Sequence, residues 1–471
     1  MRAASRGPGP GARAAAAPGA GPGAATSGDP YLPTHGNGGY RATRYELDLD
    51  YRVPSNLLSG RARLSLVASQ PLTRFSLDLG ALRVAKVTVD GRRPARYVHR
   101  AGKLHVSPAE PLPAGGGFVV EVHYSGNPHP QRTPWGEVGW EELTDGVIVA
   151  SQPNGAPSWF PCNDHPADKA SYRIAVTTDA AYQVLANGTL VEQVRLASSR
   201  RWVFEQAEPM ATYLATVQVG RYDLVELADG PVPQRALVPA RLKPLLLNDF
   251  RRQAEMMQLF TRLFGPYPFP AYAVVVTDDD LEIPLEAQGL SVFGANHLDG
   301  RQGQQRLVAH ELAHQWFGNS VTVASWQHIW LHEGFACYAE WLWSEHRGGP
   351  SAHALALQHW ALLEALPQDL VVADPGPALM FDDRVYKRGA LTLHALRLTV
   401  GDGTFFAILR DWTTAHQHGV VSTQDFLDCA SRHTDLPLHG LFGAWLEGRE
   451  LPALPAHPAQ PVSGRGAAGR R

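Results

Sequence analysis

Val308-Ala-His-Glu-Leu-Ala-His-Gln-Trp-Phe-Gly-Asn319, followed by Trp330-Leu-His-Glu-Gly-Phe-Ala336, is the stretch that decides how this chain is read. Within it lies His310-Glu311-Leu312-Ala313-His314, and 18 residues separate His314 from Glu333. On a helix, residues i and i+4 are neighbours, so both imidazoles share one face, one turn apart. Glu311, one position round from His310, falls beside whatever the rings hold. Zinc takes His and carboxylate ligands in a tetrahedron and keeps one position for water when it does chemistry. His310, His314 and Glu333 would fill three positions of a single zinc ion per chain, with Glu311 as the base that takes a proton from the water. Two neutral rings and one carboxylate leave net positive charge, enough to bring a water pKa down to about 7 and to polarise a carbonyl. With 20 histidines in the chain, an HExxH arises by chance in about 1 in 25 such sequences, and the fixed Glu lowers that to about 1 in 500. The alternative is an ordinary amphipathic helix carrying two satisfied core histidines.

This stretch closely resembles the gluzincin aminopeptidases, the family of alanyl aminopeptidase and leukotriene hydrolase. The resemblance runs from about Tyr31 to Pro452. Tyr386-Lys-Arg-Gly-Ala390 looks like the family's Tyr-x-Lys-Gly segment, whose tyrosine stabilises the oxyanion. Trp159-Phe-Pro-Cys-Asn-Asp-His-Pro166, then Lys169-Ala170, resembles its Phe-Pro-Cys-x-Asp-x-Pro turn. Leu285-Glu-Ala-Gln-Gly289 stands where the family has Gly-x-Met-Glu-Asn, whose Glu grips the free α-amine of the substrate. Only Glu286 matches there, while Ile283, Pro284 and Ala287 depart from the pattern. Gln152 resembles the glutamine that lines the family's first subsite. His332 occupies the position of the family's usual Asn. It is either a hydrogen-bond partner behind the metal, giving the activity a lower-pH limb, or it points away.

The chemistry of these residue types agrees with the implied roles. A phenol aimed at a carbonyl oxygen that becomes anionic stabilises the transition state more than the ground state, which suits Tyr386. A packed tyrosine at a helix end is the bland reading, and the resemblance alone reverses it. A carboxylate just outside a metal pocket recognises an ammonium group, which suits Glu286. Its bland reading is a surface carboxylate on a loop after Asp278-Asp279-Asp280.

The whole chain sets further bounds. Its 471 residues suffice for two domains with cores of their own. A formal charge of −3 argues against nucleic acid as a partner, and peptides with a free N-terminus are the expected substrates. Cys162, Cys337 and Cys429 lack CxxC spacing. Reduced, buried thiols are the simpler reading, with one disulfide and one free thiol as the alternative. Residues 1–30 read as a disordered Ala/Gly/Pro/Arg arm without the apolar core of a secretory signal. The expected location is therefore cytoplasmic, or secreted if the true N-terminus differs. No apolar run reaches membrane-spanning length, and residues 453–471 read as a disordered tail.

Between the tails the pattern changes once. Tyr45-Glu-Leu-Asp-Leu-Asp-Tyr51, Ala62-Arg-Leu-Ser-Leu-Val67 and Phe118-Val-Val-Glu-Val-His-Tyr124 alternate as half-buried strands do, with Gly and Pro turns between them. Later segments carry the helical period: Leu246–Phe264, then regions around Leu355–Leu366, Ala390–Leu398 and Thr404–His416, with a buried strand at Tyr272–Thr277. The expected fold is α+β: an antiparallel β saddle domain over 31–228, then a thermolysin-like, mainly helical metalloprotease lobe over 229–452. The resemblance implies a short form lacking the family's helical C-terminal domain, hence a more open cleft. It implies a zinc-dependent aminopeptidase. A zinc endopeptidase and an inactive binding module on the same fold are the alternatives.

Overall fold

The computed structural model describes residues 19–456, and the chain divides into two units, one ending at Arg221 and one beginning at Tyr222. In the first unit, the alternation at Tyr45–Tyr51 sets the inside of the longest sheet. Tyr45, Leu47, Leu49 and Tyr51 are buried, while Glu46 and Asp48 face the other side. There they meet arginines on the neighbouring strand in register: Glu46 opposes Arg63 and Asp48 opposes Arg61, with oxygen–nitrogen distances of 2.5 and 3.3 Å. Opposite charges directly across a ladder favour that register modestly, since exposed pairs contribute at most about 1 kcal/mol.

This sheet has seven strands, in the order Thr189–Arg195, Ser199–Met210, Ala170–Asp179, Tyr40–Arg52, Leu57–Ala68, Gly117–Gly126, Arg83–Val89. The expectation of an antiparallel domain needs one correction here. Ala170–Asp179 runs parallel to Tyr40–Arg52, because the intervening chain first builds other strands and returns from the same end, as a parallel pairing requires. A five-stranded and a four-stranded sheet complete the unit. Its core is aromatic: Tyr45 stacks on Tyr172 at 4.8 Å, and Phe160 and Trp159 meet at 4.4 Å.

The arm predicted over 1–30 is also corrected for residues 19–30. Gly21–Pro22 pairs with Leu72–Asp78, and the buried Asp29 accepts the backbone N–H of Tyr31. Residues 1–18 and 457–471 of the predicted arm and tail lie outside the described residues. The expected domain boundary at 228/229 moves to 221/222. Asp223–Ala228 is an edge strand of the second unit's sheet, paired with Gln234–Val238, and that pairing is invisible to local alternation.

The second unit begins with this five-stranded mixed sheet, ordered Asp223–Ala228, Gln234–Val238, Tyr272–Val276, Leu290–Phe293, Leu285–Ala287. Tyr272–Val276 is buried along its whole length, as a strand parallel to both neighbours should be. The predicted helix over 246–264 is two helices, Lys243–Asp249 and Gln253–Phe264. The break follows Asp249, whose buried carboxylate accepts the N–H groups of Asp299, Gly300 and Gln302. Helices Gln305–Ala313, Trp330–His346, Ala352–Glu364, Asp383–Val400, Asp402–Ala415 and Thr423–Ser431 make up most of the remainder. No helix among the described residues is long and apolar enough to cross a membrane. All three cysteines are unpaired and buried.

Candidate metal centre and active site

The motif helix, Gln305–Ala313, carries His310 and Glu311, and His314 continues its right-handed turn as the capping residue. Glu333 enters from the first turn of the carboxylate helix, Trp330–His346. His310 Nε2 and His314 Nε2 each lie 3.4 Å from the same oxygen, Glu333 Oε2. Tetrahedral zinc with nitrogen and oxygen ligands at its usual bond lengths gives N···O edges of about 3.4 Å. The protons agree with the distances. His310 Nδ1 lies 2.8 Å from Glu340 Oε1, and His314 Nδ1 lies 3.0 Å from the carbonyl oxygen of Phe317. Both partners only accept, so each Nδ1 carries a proton and each neutral ring turns its Nε2 lone pair inward. Neutral rings offer two lone pairs beside a carboxylate oxygen in a buried place, as a bound cation requires, and without one, against the effect of burial, Glu333 draws both rings towards their protonated forms. The residues fit a zinc ion.

Glu311 is 4% exposed, and its Oε2 has no hydrogen-bond partner among the described residues. Burial pushes its carboxyl up; the two imidazoles oppose that, and Glu286 and Glu333 add to it. Glu286 sits on the edge strand Leu285–Ala287, opposite Ser291. One donor atom each from Glu286, Glu311 and His314 falls within 4.8 Å of the others. The surface-loop reading of Glu286 is thus replaced by a place in the cleft. Tyr386 is half-buried on the tyrosine helix, Asp383–Val400, its ring stacked 6.2 Å from that of His310. Burial, then the carboxylates of Glu333, Glu286 and Glu311, raise its phenol well above the usual range. It stays a hydrogen-bond donor. Gln152 belongs to the first unit, where it is half-buried and joined to Pro153 by a cis peptide bond.

Two glycines set how closely the carboxylate and tyrosine helices cross. A Cβ on Gly334 would sit 2.9 Å from Gly389 Cα and 3.0 Å from its carbonyl carbon. Only glycine at both positions permits that approach, and it brings Glu333 and Tyr386 to one cleft. His332 is fully buried, and its Nε2 accepts the backbone N–H of Val323 at 3.1 Å. That nitrogen fixes the short strand Thr322–Val323.

Sequence reasoning missed three residues here. Glu340 receives His310 and lies 3.6 Å from Arg306 through its other oxygen. It stands seven positions after Glu333, the same face two turns on, which was a signal available in the sequence. Gln315 and Asn319 clamp the Glu286 segment: Gln315 Nε2 and Asn319 Nδ2 donate to the carbonyl of Ala287 at 3.1 and 2.9 Å, and Gly289 N–H donates to Gln315 Oε1 at 2.8 Å. No local pattern marks them.

A helix-borne HExxH meeting a carboxylate from the next long helix, in a mixed-sheet lobe that follows a β-rich unit, defines a zinc metallopeptidase of the gluzincin kind. The chain belongs to peptidase family M1. The profile of the Peptidase M1 N-terminal domain matches residues 41–214, and that of the Peptidase family M1 domain matches 249–445. Among solved structures, the M1 zinc metallopeptidase from Deinococcus radiodurans is 33% identical, with a TM-score of 0.84 over 92% of this chain and 99% of that one. A mutant from the same organism, bound to a Tyr-Ser-Ala substrate, is 32% identical over the same shares, again with a TM-score of 0.84. Aminopeptidase M1-D of Oryza sativa subsp. japonica is 25% identical over 87% of this chain and 50% of its own length. The chain spans about half the length of the curated relatives it matches.

Proposed function

We propose that this chain is a zinc-dependent aminopeptidase that removes N-terminal residues from peptides. His310, His314 and Glu333 would hold the zinc. When bound, the ion supplies the positive charge that polarises a peptide carbonyl and acidifies a water. Glu311 takes the proton of the attacking water on Oε2 and passes it to the leaving amine. Tyr386 donates its phenolic hydrogen to the carbonyl oxygen as that oxygen becomes anionic. Glu286 receives the α-ammonium and so sets the cut one residue in. Glu340 holds the His310 ring in one tautomer and orientation.

The observation that carries this reading is the second carboxylate, Glu286, within 4.8 Å of donor atoms on Glu311 and His314. Burial disfavours its charge, so a cationic group of the substrate is its natural complement. The Tyr-Ser-Ala peptide held by the Deinococcus radiodurans relative supports short peptides with a free amine as substrates. The test is hydrolysis of matched free and N-acetylated peptides, with Glu311→Gln and a chelated sample as controls. Cleavage of free peptides alone, lost in both controls, is expected. Equal cleavage of acetylated peptides would replace the proposal with an endopeptidase.

A further inference from the structure

We infer that Asp411, Cys429 and His433 form a second cation site, selective for zinc-like divalent ions, separate from the HExxH centre. Asp411 projects from helix Asp402–Ala415, Cys429 from helix Thr423–Ser431, and His433 follows the end of the latter. Cys429 and His433 stand at i and i+4, the same relation as His310 and His314. One donor atom from each of the three lies within 4.8 Å of the others, the envelope that also encloses His310, His314 and Glu333.

The distances suit a small tetrahedral ion. Cys429 Sγ is 3.5 Å and His433 Nε2 is 2.9 Å from one oxygen, Asp411 Oδ2. Zinc bond lengths give S···O and N···O edges of about 3.6 and 3.4 Å. The sulfur is already in place. The imidazole must withdraw by about 0.5 Å to reach that edge, and a 26% exposed ring beyond a helix end has room to do so.

The donor set decides which ion. A thiolate is soft, an imidazole borderline and a carboxylate hard, a mixture that favours zinc, cobalt or cadmium over magnesium and calcium. The fully buried sulfur supplies a dry inner wall, while the partly exposed Asp411 and His433 leave an entry path and a fourth position for water. Arg432 opposes occupancy, with Nη2 3.2 Å from the same oxygen. Its side chain is 54% exposed and can turn to solvent, giving up a surface ion pair of small worth. As the ion enters, the S–H bond of Cys429 breaks and its proton goes to solvent, while the neutral His433 ring gives up the proton its Nε2 donates to Asp411 and takes one from solvent on Nδ1, so that Nε2 is free to bind. One proton leaves per ion and nothing is oxidised or reduced.

Occupancy would tie the two helices together beside the catalytic wall. Thr423, first residue of the second helix, accepts the indole N–H of Trp330 at 2.9 Å, and Trp330 begins the carboxylate helix.

The test is titration of the metal-free full-length chain with Co²⁺, followed by near-ultraviolet absorbance. The HExxH centre has no sulfur, so a thiolate-to-cobalt charge-transfer band reports the second site alone. Two equivalents should bind, one of them with the band. Cys429→Ser should lose the band and one equivalent, and His433→Gln, a substitution at a partly exposed ring, should weaken that equivalent at least about tenfold. The proposal fails if no band forms at several equivalents of Co²⁺, if the band persists in Cys429→Ser, or if His433→Gln binds as the parent does.

Discussion

Gly334→Ala tests whether the crossing of two helices tunes the active site. The added Cβ would lie 2.9 and 3.0 Å from backbone atoms of Gly389, with Ala390 N at 3.4 Å, so no flexible side chain can yield. Carbon–carbon contacts settle at about 3.5–4.0 Å, so the helices must part by roughly 0.6 Å. Overpacking of this kind costs about 1–3 kcal/mol, offset by about 1 kcal/mol because alanine favours a helix over glycine. Gly403→Ala is the matched control: it lies on helix Asp402–Ala415 with nothing within 4 Å of its added Cβ. That variant should gain up to about 1 kcal/mol, so the difference between the two identical chemical changes isolates the clash at about 1–3 kcal/mol. The functional cost should be larger than the stability cost. Glu333 adjoins Gly334 and Tyr386 stands one turn before Gly389, so parting the helices separates the phenol from the metal donors. A misplacement near 1 Å can cost about 100-fold, so kcat should fall by roughly 10- to 100-fold with little change in KM. In the double variant with Gly389→Ala the second methyl enters a gap already opened, and the losses should sum to less than the two singles. Denaturant midpoints and peptide kinetics on the parent, the three single variants and the double variant decide it. Parent-like stability and kcat in Gly334→Ala would refute the reasoning.

Three further outcomes follow from the same geometry. Arg388→Ala should cost at least about 3 kcal/mol of stability in the second unit, because the guanidinium donates to the carbonyls of Ala444, Trp445, Gly448, Arg449 and Glu450 and each orphaned acceptor costs about 1–3 kcal/mol; a loss below 1 kcal/mol in a urea melt would contradict this. Glu340→Gln keeps an acceptor for His310 Nδ1 but removes the charge, and should weaken zinc about 10- to 100-fold in a chelator competition, against no change if the residue merely packs. Burial, with Asp78 adding, lifts the Asp164 carboxyl to about 8, so the folded chain holds its proton more tightly than the unfolded one. Its contribution is therefore fully present below the unfolded value near 4 and is lost as pH rises towards 8. Asp164→Asn should flatten the fall in urea midpoint between pH 5 and pH 8, and an unaltered slope would exclude Asp164 as its source.

What was legible in the sequence was whatever depends on spacing along one element. The i, i+4 relation of His310 and His314 is local helix geometry, and the alternation of Tyr45–Tyr51 is local strand geometry, so both could be read without neighbours. Sheet partners are not local: the parallel run of Ala170–Asp179 beside Tyr40–Arg52, and the membership of Asp223–Ala228 in the second sheet, depend on where distant chain returns. The misread helix over 246–264 has the same cause, since Asp249 ends its helix by capping a loop some fifty residues further on.

The residues overlooked at the site share a different property. Glu340, Gln315 and Asn319 are polar groups that orient another group instead of meeting a substrate, and in sequence they look like ordinary members of a helix or turn. The carboxylate helix hides Glu340 especially well, because from Trp330 to Trp343 every residue is buried and no polar face marks the inside. A buried carboxylate on such a helix is nonetheless costly unless something cationic or proton-bearing faces it. Glu333 and Glu340, seven apart on one face, therefore imply two partners in line: a cation shared with the imidazoles for the first and an imidazole N–H for the second. His310 answers both at once, Nε2 towards Glu333 and Nδ1 towards Glu340. Glu340 thus fixes the Nδ1 end of the ring before any ion arrives, and the metal geometry is a property of the one helix that carries both carboxylates and of the motif helix that presents the ring to it.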